Sequence, residues 1–128
     1  MKTIKYDIHI NQNAAWNLRV TYNDETKTPI DLTGYAGELV IRKSIRSATS
    51  LIRINTAGSQ VSFGDAIHNV VAQMTATQTD ALPTNNMLVQ DWVYSLLIWD
   101  PLDKDNTALR LLEGNVVVTP SVSRVDET

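Results

Sequence analysis

A histidine-based metal site or hydrolytic triad in this sequence has to draw on His9 or His68, the two imidazoles among 128 residues. Such a site needs further ligands at a fixed spacing, or a nucleophile with an orienting acid. Neither histidine has an H-x-H or H-E-x-x-H neighbourhood. Each lies in an apolar–polar alternation, and each reads as a surface side chain. The fourteen carboxylates gather as Asp24-Glu25 and as Asp100, Asp103 and Asp105. Calcium takes about six to eight oxygen ligands, and Asp103 with Asp105 offers a D-x-D start. The loop lacks the glycine and the distant glutamate of an EF-hand, and Pro101 interrupts it, so it reads as a solvated turn. No serine sits in a G-x-S-x-G elbow. The glycines form neither G-x-G-x-x-G nor a P-loop. Cysteine is absent, which removes disulfides, thiolate nucleophiles and Cys-ligated zinc or iron–sulfur centres. No catalytic residue, cofactor or metal is expected, and the chain reads as a non-enzyme.

The three tryptophans are sharper. Trp16 and Trp92 fall on inward positions and read as core. Residues 90–100 are apolar on both faces: Trp92, Tyr94, Leu96 and Ile98 on one, Val93, Leu97 and Trp99 on the other. A strand apolar on both faces is central in its sheet or covered by a partner. Tryptophan is enriched among interface anchors. Trp99, Leu97 and Val93 are therefore the candidate protein-contact residues.

The elements that position them repeat with period two. Ile4, Tyr6, Ile8 and Ile10 alternate with Lys5, Asp7 and His9; Trp16, Leu18, Val20 and Tyr22 alternate with Asn17, Arg19 and Thr21. Residues 23–29 are polar, end in Pro29 and form a hairpin tip. Gly34 permits a bend, and Gly37 marks a bulge or close approach within residues 35–43. Residues 51–55 and 61–63 read as short strands around a turn at 56–59, with a corner at Gly64-Asp65. Residues 67–74 form a further strand. Thr75 with Gln78 is a capping-box signal and Pro83 a stop, which predicts one short helical turn near residues 76–82. Residues 107–112 and 116–119 read as two strands joined by a turn at Glu113-Gly114-Asn115. These signals predict an all-β, antiparallel two-sheet β-sandwich of about eight to ten short strands. One domain over residues 1–122 is expected, with a polar tail at 123–128.

The net charge is −3 and the pI about 5.2. Arg42, Lys43, Arg46 and Arg53 are the nearest approach to a basic cluster, too dilute for a nucleic-acid footprint. No apolar run reaches transmembrane length, and the N-terminus lacks the apolar stretch of a secretory signal. Neither nucleic acid nor membrane is expected as a partner.

The order of several short motifs adds positive content. Pro29-Ile30-Asp31-Leu32-Thr33-Gly34-Tyr35 leads into a strand ending Ile41-Arg42. Gly58 and Val61-Ser62-Phe63 follow, then Gln78-Thr79-Asp80-Ala81-Leu82 and Trp92-Val93-Tyr94-Ser95-Leu96. Arg110-Leu111-Leu112-Glu113-Gly114-Asn115-Val116-Val117-Val118-Thr119-Pro120 comes last. Over roughly residues 14–122 this resembles a family of small phage structural β-sandwiches, similar to the N-terminal domain of baseplate upper proteins and tail-fibre adaptor domains. The resemblance implies a virion component, made in the host cytoplasm, that docks on a tail, baseplate or neck and anchors fibres. It implies other phage virion proteins as partners, a homo-oligomer in the particle and no catalytic residues. Baseplate upper proteins continue into a long C-terminal region, whereas this sequence stops at Thr128, which favours a stand-alone adaptor. A head decoration protein is the alternative within the same setting. A carbohydrate-binding module, stacking sugars on Trp99 and Tyr22, is the alternative from another class. Free edges at residues 1–10 or at the last strand are expected to serve assembly.

Overall fold

Alternation along the sequence becomes alternation between two faces. The computed structural model of the chain describes residues 3–63 and 69–121. Within those residues nine strands form two sheets. They are β1 (Ile4–Lys5), β2 (Ile8–Asn11), β3 (Trp16–Val20), β4 (Ala36–Arg42), β5 (Ile52–Asn55), β6 (Val61–Phe63), β7 (Val70–Met74), β8 (Val89–Trp99) and β9 (Leu109–Thr119). A short helix α1 (Ala76–Asp80) precedes β8, and α2 (Lys104–Thr107) precedes β9. The expected corner at Gly64-Asp65, the start of the strand at residue 67, His68, the boundary at 122 and the tail at 123–128 lie outside the described residues.

The larger sheet runs β1–β9–β8–β4–β5, with β2 also paired to β9; the smaller runs β3–β7–β6. Their inner faces meet in one core. Ile10, Leu39, Ile41, Ile54, Leu96 and Ile98 come from the larger sheet; Val61, Val70 and Ala72 come from the smaller. Each large aliphatic side chain buried this way contributes about 1.5–3 kcal/mol. Trp16 and Trp92 are both core residues, as the alternation requires. This is an all-β sandwich. Distributing β3, β6 and β7 to one layer and β4, β5, β8 and β9 to the other reproduces the connectivity of a variable-type immunoglobulin sandwich. The N-terminal strands β1 and β2 add to the larger layer beside β9.

Four expectations need correction. The sheets are not wholly antiparallel: β1 and β2 run parallel to β9, in registers Ile4↔Leu112 and Ile8↔Val116. The last strand is therefore interior, and the edges of the larger sheet are the N-terminal strands and β5. Residues 51–55 and 61–63 are not a hairpin. β5 pairs with β4, while β6 pairs with β7 in the other sheet, so the turn at 56–59 carries the chain between layers. Residues 113–115 are not a turn: β9 continues through them, with Gly114 opposite Tyr94. Finally, the acidic loop after β8 contains the second helix, α2, whose Asp103 is its N-cap residue.

Polar side chains fix the corners. The capping box at α1 is complete, with Thr75 Oγ1 accepting from the Gln78 N–H and Gln78 Oε1 accepting from the Thr75 N–H. Gln12 is buried at the β2–β3 corner. Its amide donates to the carbonyls of Thr79, Asp80 and Leu82 and its oxygen accepts from the Thr84 hydroxyl. Asn69 accepts from the Tyr22 N–H and donates to the carbonyls of Tyr22 and Ile30, tying the start of β7 to the first hairpin. Gly34 takes a positive φ of 84° at the turn into β4.

Candidate functional site

The second face of β8 is the floor of a hollow. Cross-strand register decides what lies beside it. Leu97 stands between Arg110 on β9 and Glu38 on β4. One step along, Ser95 stands between Glu113 and Val40, with Lys5 beyond Glu113 and Arg53 beyond Val40. One step further, Val93 stands between Asn115 and Arg42. The result is an open depression of about 680 Å³ on the outer face of the larger sheet. Val40, Val93 and Leu97 give it an apolar centre. Ile45, 87% exposed on the loop after β4, is a fourth apolar side chain in its wall.

The rim carries both signs of charge: Lys5, Arg42, Arg53 and Arg110 against Asp7, Glu38 and Glu113. Arg53 pairs with Glu38 at 2.6 Å and Arg110 with Glu113 at 3.0 Å. Both pairs are substantially solvated, and such pairs stabilise a fold by only about 0–1 kcal/mol. Their side chains can therefore exchange partners at little cost. Asp7 accepts from the Asn115 N–H at 2.9 Å, and Arg42 donates to the Ser47 carbonyl.

One wall depends on Gly114. A Cβ there would lie 2.5 Å from the Tyr6 carbonyl oxygen and 2.8 Å from Asp7 Oδ1. Only glycine lets the junction between β1 and β2 cross β9 so closely. Tyr94 donates its hydroxyl to that same Tyr6 carbonyl. Burial pushes the Tyr94 phenol above its ordinary 10.0, with Tyr6, Asp7 and Glu113 adding to the rise. The phenol stays protonated, as the bond requires.

Of the three contact residues expected from sequence, Val93 and Leu97 line the hollow and Trp99 does not. Trp99 lies under the Lys104 ammonium, 4.3 Å from the ring centroid, so α2 supplies a cation to cover it. Tyr22, expected as a stacking surface for sugar, is buried at 4% exposure and unavailable for that role. His9 is exposed and bonded to Thr119 Oγ1 at 2.8 Å. Among the described residues, no group of three His, Cys, Asp or Glu side chains could hold a metal ion. No helix among them is long and apolar enough to cross a membrane. The rim charges are not legible as a group in the sequence because they come from four strands and the β1–β2 junction, far apart in the chain. Their only local signal is the polar member of each alternation.

No family model matches the sequence, and no curated protein matches it. Among solved structures, one of the extracellular domains of the voltage-gated sodium channel beta4 subunit aligns over 92% of this chain and 93% of its own. The identity is 8% and the TM-score 0.42. That protein is described as forming parallel homodimers that explain its role in cell–cell adhesion.

Proposed function

We propose that this chain is a non-enzymatic assembly protein that holds a partner protein across the outer face of its larger sheet. Its setting is a bacteriophage virion, where it serves as an adaptor subunit of the tail, baseplate or neck. The observation that carries the protein-holding part is the hollow itself: an apolar centre of Val40, Val93 and Leu97 inside a rim of mixed charge. Protein interfaces are built this way, with an apolar centre desolvated on contact and a polar rim that sets register. The balanced signs on the rim also fit a protein better than the uniformly negative backbone of a nucleic acid. The virion setting rests on the order of motifs from Pro29-Ile30-Asp31-Leu32-Thr33-Gly34 to the Arg110–Pro120 run. The sugar-binding alternative loses support with Tyr22 buried and Trp99 under Lys104.

The test is incorporation into particles. Quantitative mass spectrometry of purified virions should find the chain in the few to tens of copies of a unique-vertex or tail component. Hundreds of copies would point to a decoration protein, and absence from particles would sink the virion reading. Leu97→Asp, on the outer face, should keep the far-UV circular dichroism of the parent and lose incorporation.

A further inference from the structure

We infer that the occupant of the hollow is a second copy of this chain, docked face to face about a two-fold axis running along β8. This rests on the reading of the hollow as a protein-contact surface and names the partner.

The register makes the face complementary to itself. Arg110 and Glu38 flank Leu97, one strand to either side. Neighbouring strands lie about 4.8 Å apart, so the two side chains are equidistant from β8. A two-fold axis along β8, in the plane of the interface, exchanges the two sides while keeping position along the strand. It sets Arg110 of one copy opposite Glu38 of the other, and symmetry makes the contact twice. Leu97 meets Leu97 and Val93 meets Val93 on the axis, so the apolar centre is covered by its own image. In the next row Glu113 comes over Val40, one strand inside the copy's Arg53. Lys5 and Arg53, of like charge, meet two strands from the axis. There Lys5 keeps Glu113 beside it by register, while Arg53, its side chain about half exposed, releases Glu38 to the copy's Arg110 and turns to solvent.

The alternative rotation is worse. An axis across the strands through the Ser95 row would set Glu38 opposite Arg42, but also Glu113 on Glu113, Lys5 on Lys5 and Arg53 on Arg53, three like-charge contacts against two in the first arrangement. Like charges juxtaposed in an interface are strongly unfavourable. Charge therefore selects the parallel arrangement. Forming it asks only that Arg110 and Glu38 exchange their solvated partners within a chain for each other across the interface.

The test is a charge swap read by sedimentation equilibrium of the purified chain at low and high salt. The parent should self-associate to a dimer that weakens with salt. Arg110→Glu and Glu38→Arg, singly, should each weaken the dimer about 100-fold, because each places like charges opposite one another twice. The double variant Arg110→Glu/Glu38→Arg should regain the parent's association. In an equimolar mixture of the two single variants, both symmetric contacts of the mixed dimer pair opposite charges, so the mixture should associate far more tightly than either variant alone. A parent that stays monomeric at millimolar concentration overturns the second-copy inference. So does a dimer that the single reversals leave intact, or one that the double variant fails to restore. If the parent is monomeric yet Leu97→Asp still loses incorporation into particles, the contact surface stands and its occupant is a different protein. If both results are negative, the surface reading falls with the inference.

Discussion

Replacing Gln12 with leucine removes a buried polar hub while keeping its approximate volume. Gln12 is 8% exposed and joins the β2–β3 corner to the loop between α1 and β8. Its two shortest bonds run to the Leu82 carbonyl at 2.8 Å and from the Thr84 hydroxyl at 2.7 Å. The bonds to Thr79 and Asp80 are long, at 3.3 Å each. The Leu82 and Thr79 carbonyls keep other partners, the N–H groups of Thr84 and Leu82. The Thr84 hydroxyl, 5% exposed, loses its acceptor. Two net hydrogen bonds at about 1 kcal/mol each, plus about 1–2 kcal/mol for a stranded buried hydroxyl, predict a loss of about 3–4 kcal/mol. Thr84→Val strands the Gln12 oxygen in the same way. The double variant strands neither and loses the shared bond once, so it should be about 3–5 kcal/mol less destabilised than the sum of the singles. Urea unfolding of the parent and three variants, at constant m-value, measures the cycle. A Gln12→Leu loss under about 0.5 kcal/mol, or strict additivity, would refute the assignment of Gln12 as a structural hub.

Gly114→Ala should cost about 1–3 kcal/mol by overpacking against Tyr6 and Asp7, and hydrogen exchange should show the loss concentrated in β1 and β2. Tyr94→Phe removes the bond to the Tyr6 carbonyl and should loosen the same two strands by about 1 kcal/mol while leaving the β4–β8 amides protected. Asp24 is held below its ordinary 3.8 by the Thr26 side chain first and then the Thr28 N–H, and Asp31 by Thr33. The unfolded chain then binds more protons in the acid window. The stability these carboxylates supply is complete above about pH 3.8 and lost as pH falls through the lower folded values. Asp24→Asn/Asp31→Asn should therefore flatten the acid limb of a stability-versus-pH curve. Lys104→Ala uncovers Trp99, should cost about 0.5–1 kcal/mol, and should shift the tryptophan emission.

Period-two alternation is sufficient for most faces, but not for Ile4 and Tyr6, which share the apolar register of Ile8 and Ile10 and are 42% and 48% exposed. It put Trp16, Leu18, Trp92, Tyr94, Leu96 and Ile98 inward, where all are buried. The capping box at Thr75 and Gln78 was equally legible, because that signal is local. Alternation says which side of a strand is apolar and nothing about its neighbour. Residues 51–55 and 61–63 therefore looked like a hairpin, although they belong to different sheets. The parallel pairing of β1 and β2 with β9 joins residues more than a hundred positions apart and has no local signature. β9 reads as two strands in the sequence because its alternation changes phase. A bulge falls between the Leu96 and Leu97 pairings, so Leu111 and Leu112 are both buried. Gly114, a few residues on, then resembled a turn. On the second face of β8, Val93 and Leu97 line the hollow. Trp99 was set apart by a lysine from a helix that the acidic loop did not advertise.

A partner protein held on the outer face of the larger sheet, as proposed, leaves a direct structural trace. A cryo-electron-microscopy map of the assembled particle, with this chain fitted, tests for it most directly. Protein density is expected packed against Val40, Val93 and Leu97, with Arg110 and Glu38 engaged across the contact. Density at the edges or loops alone, with those three side chains facing solvent, would contradict it.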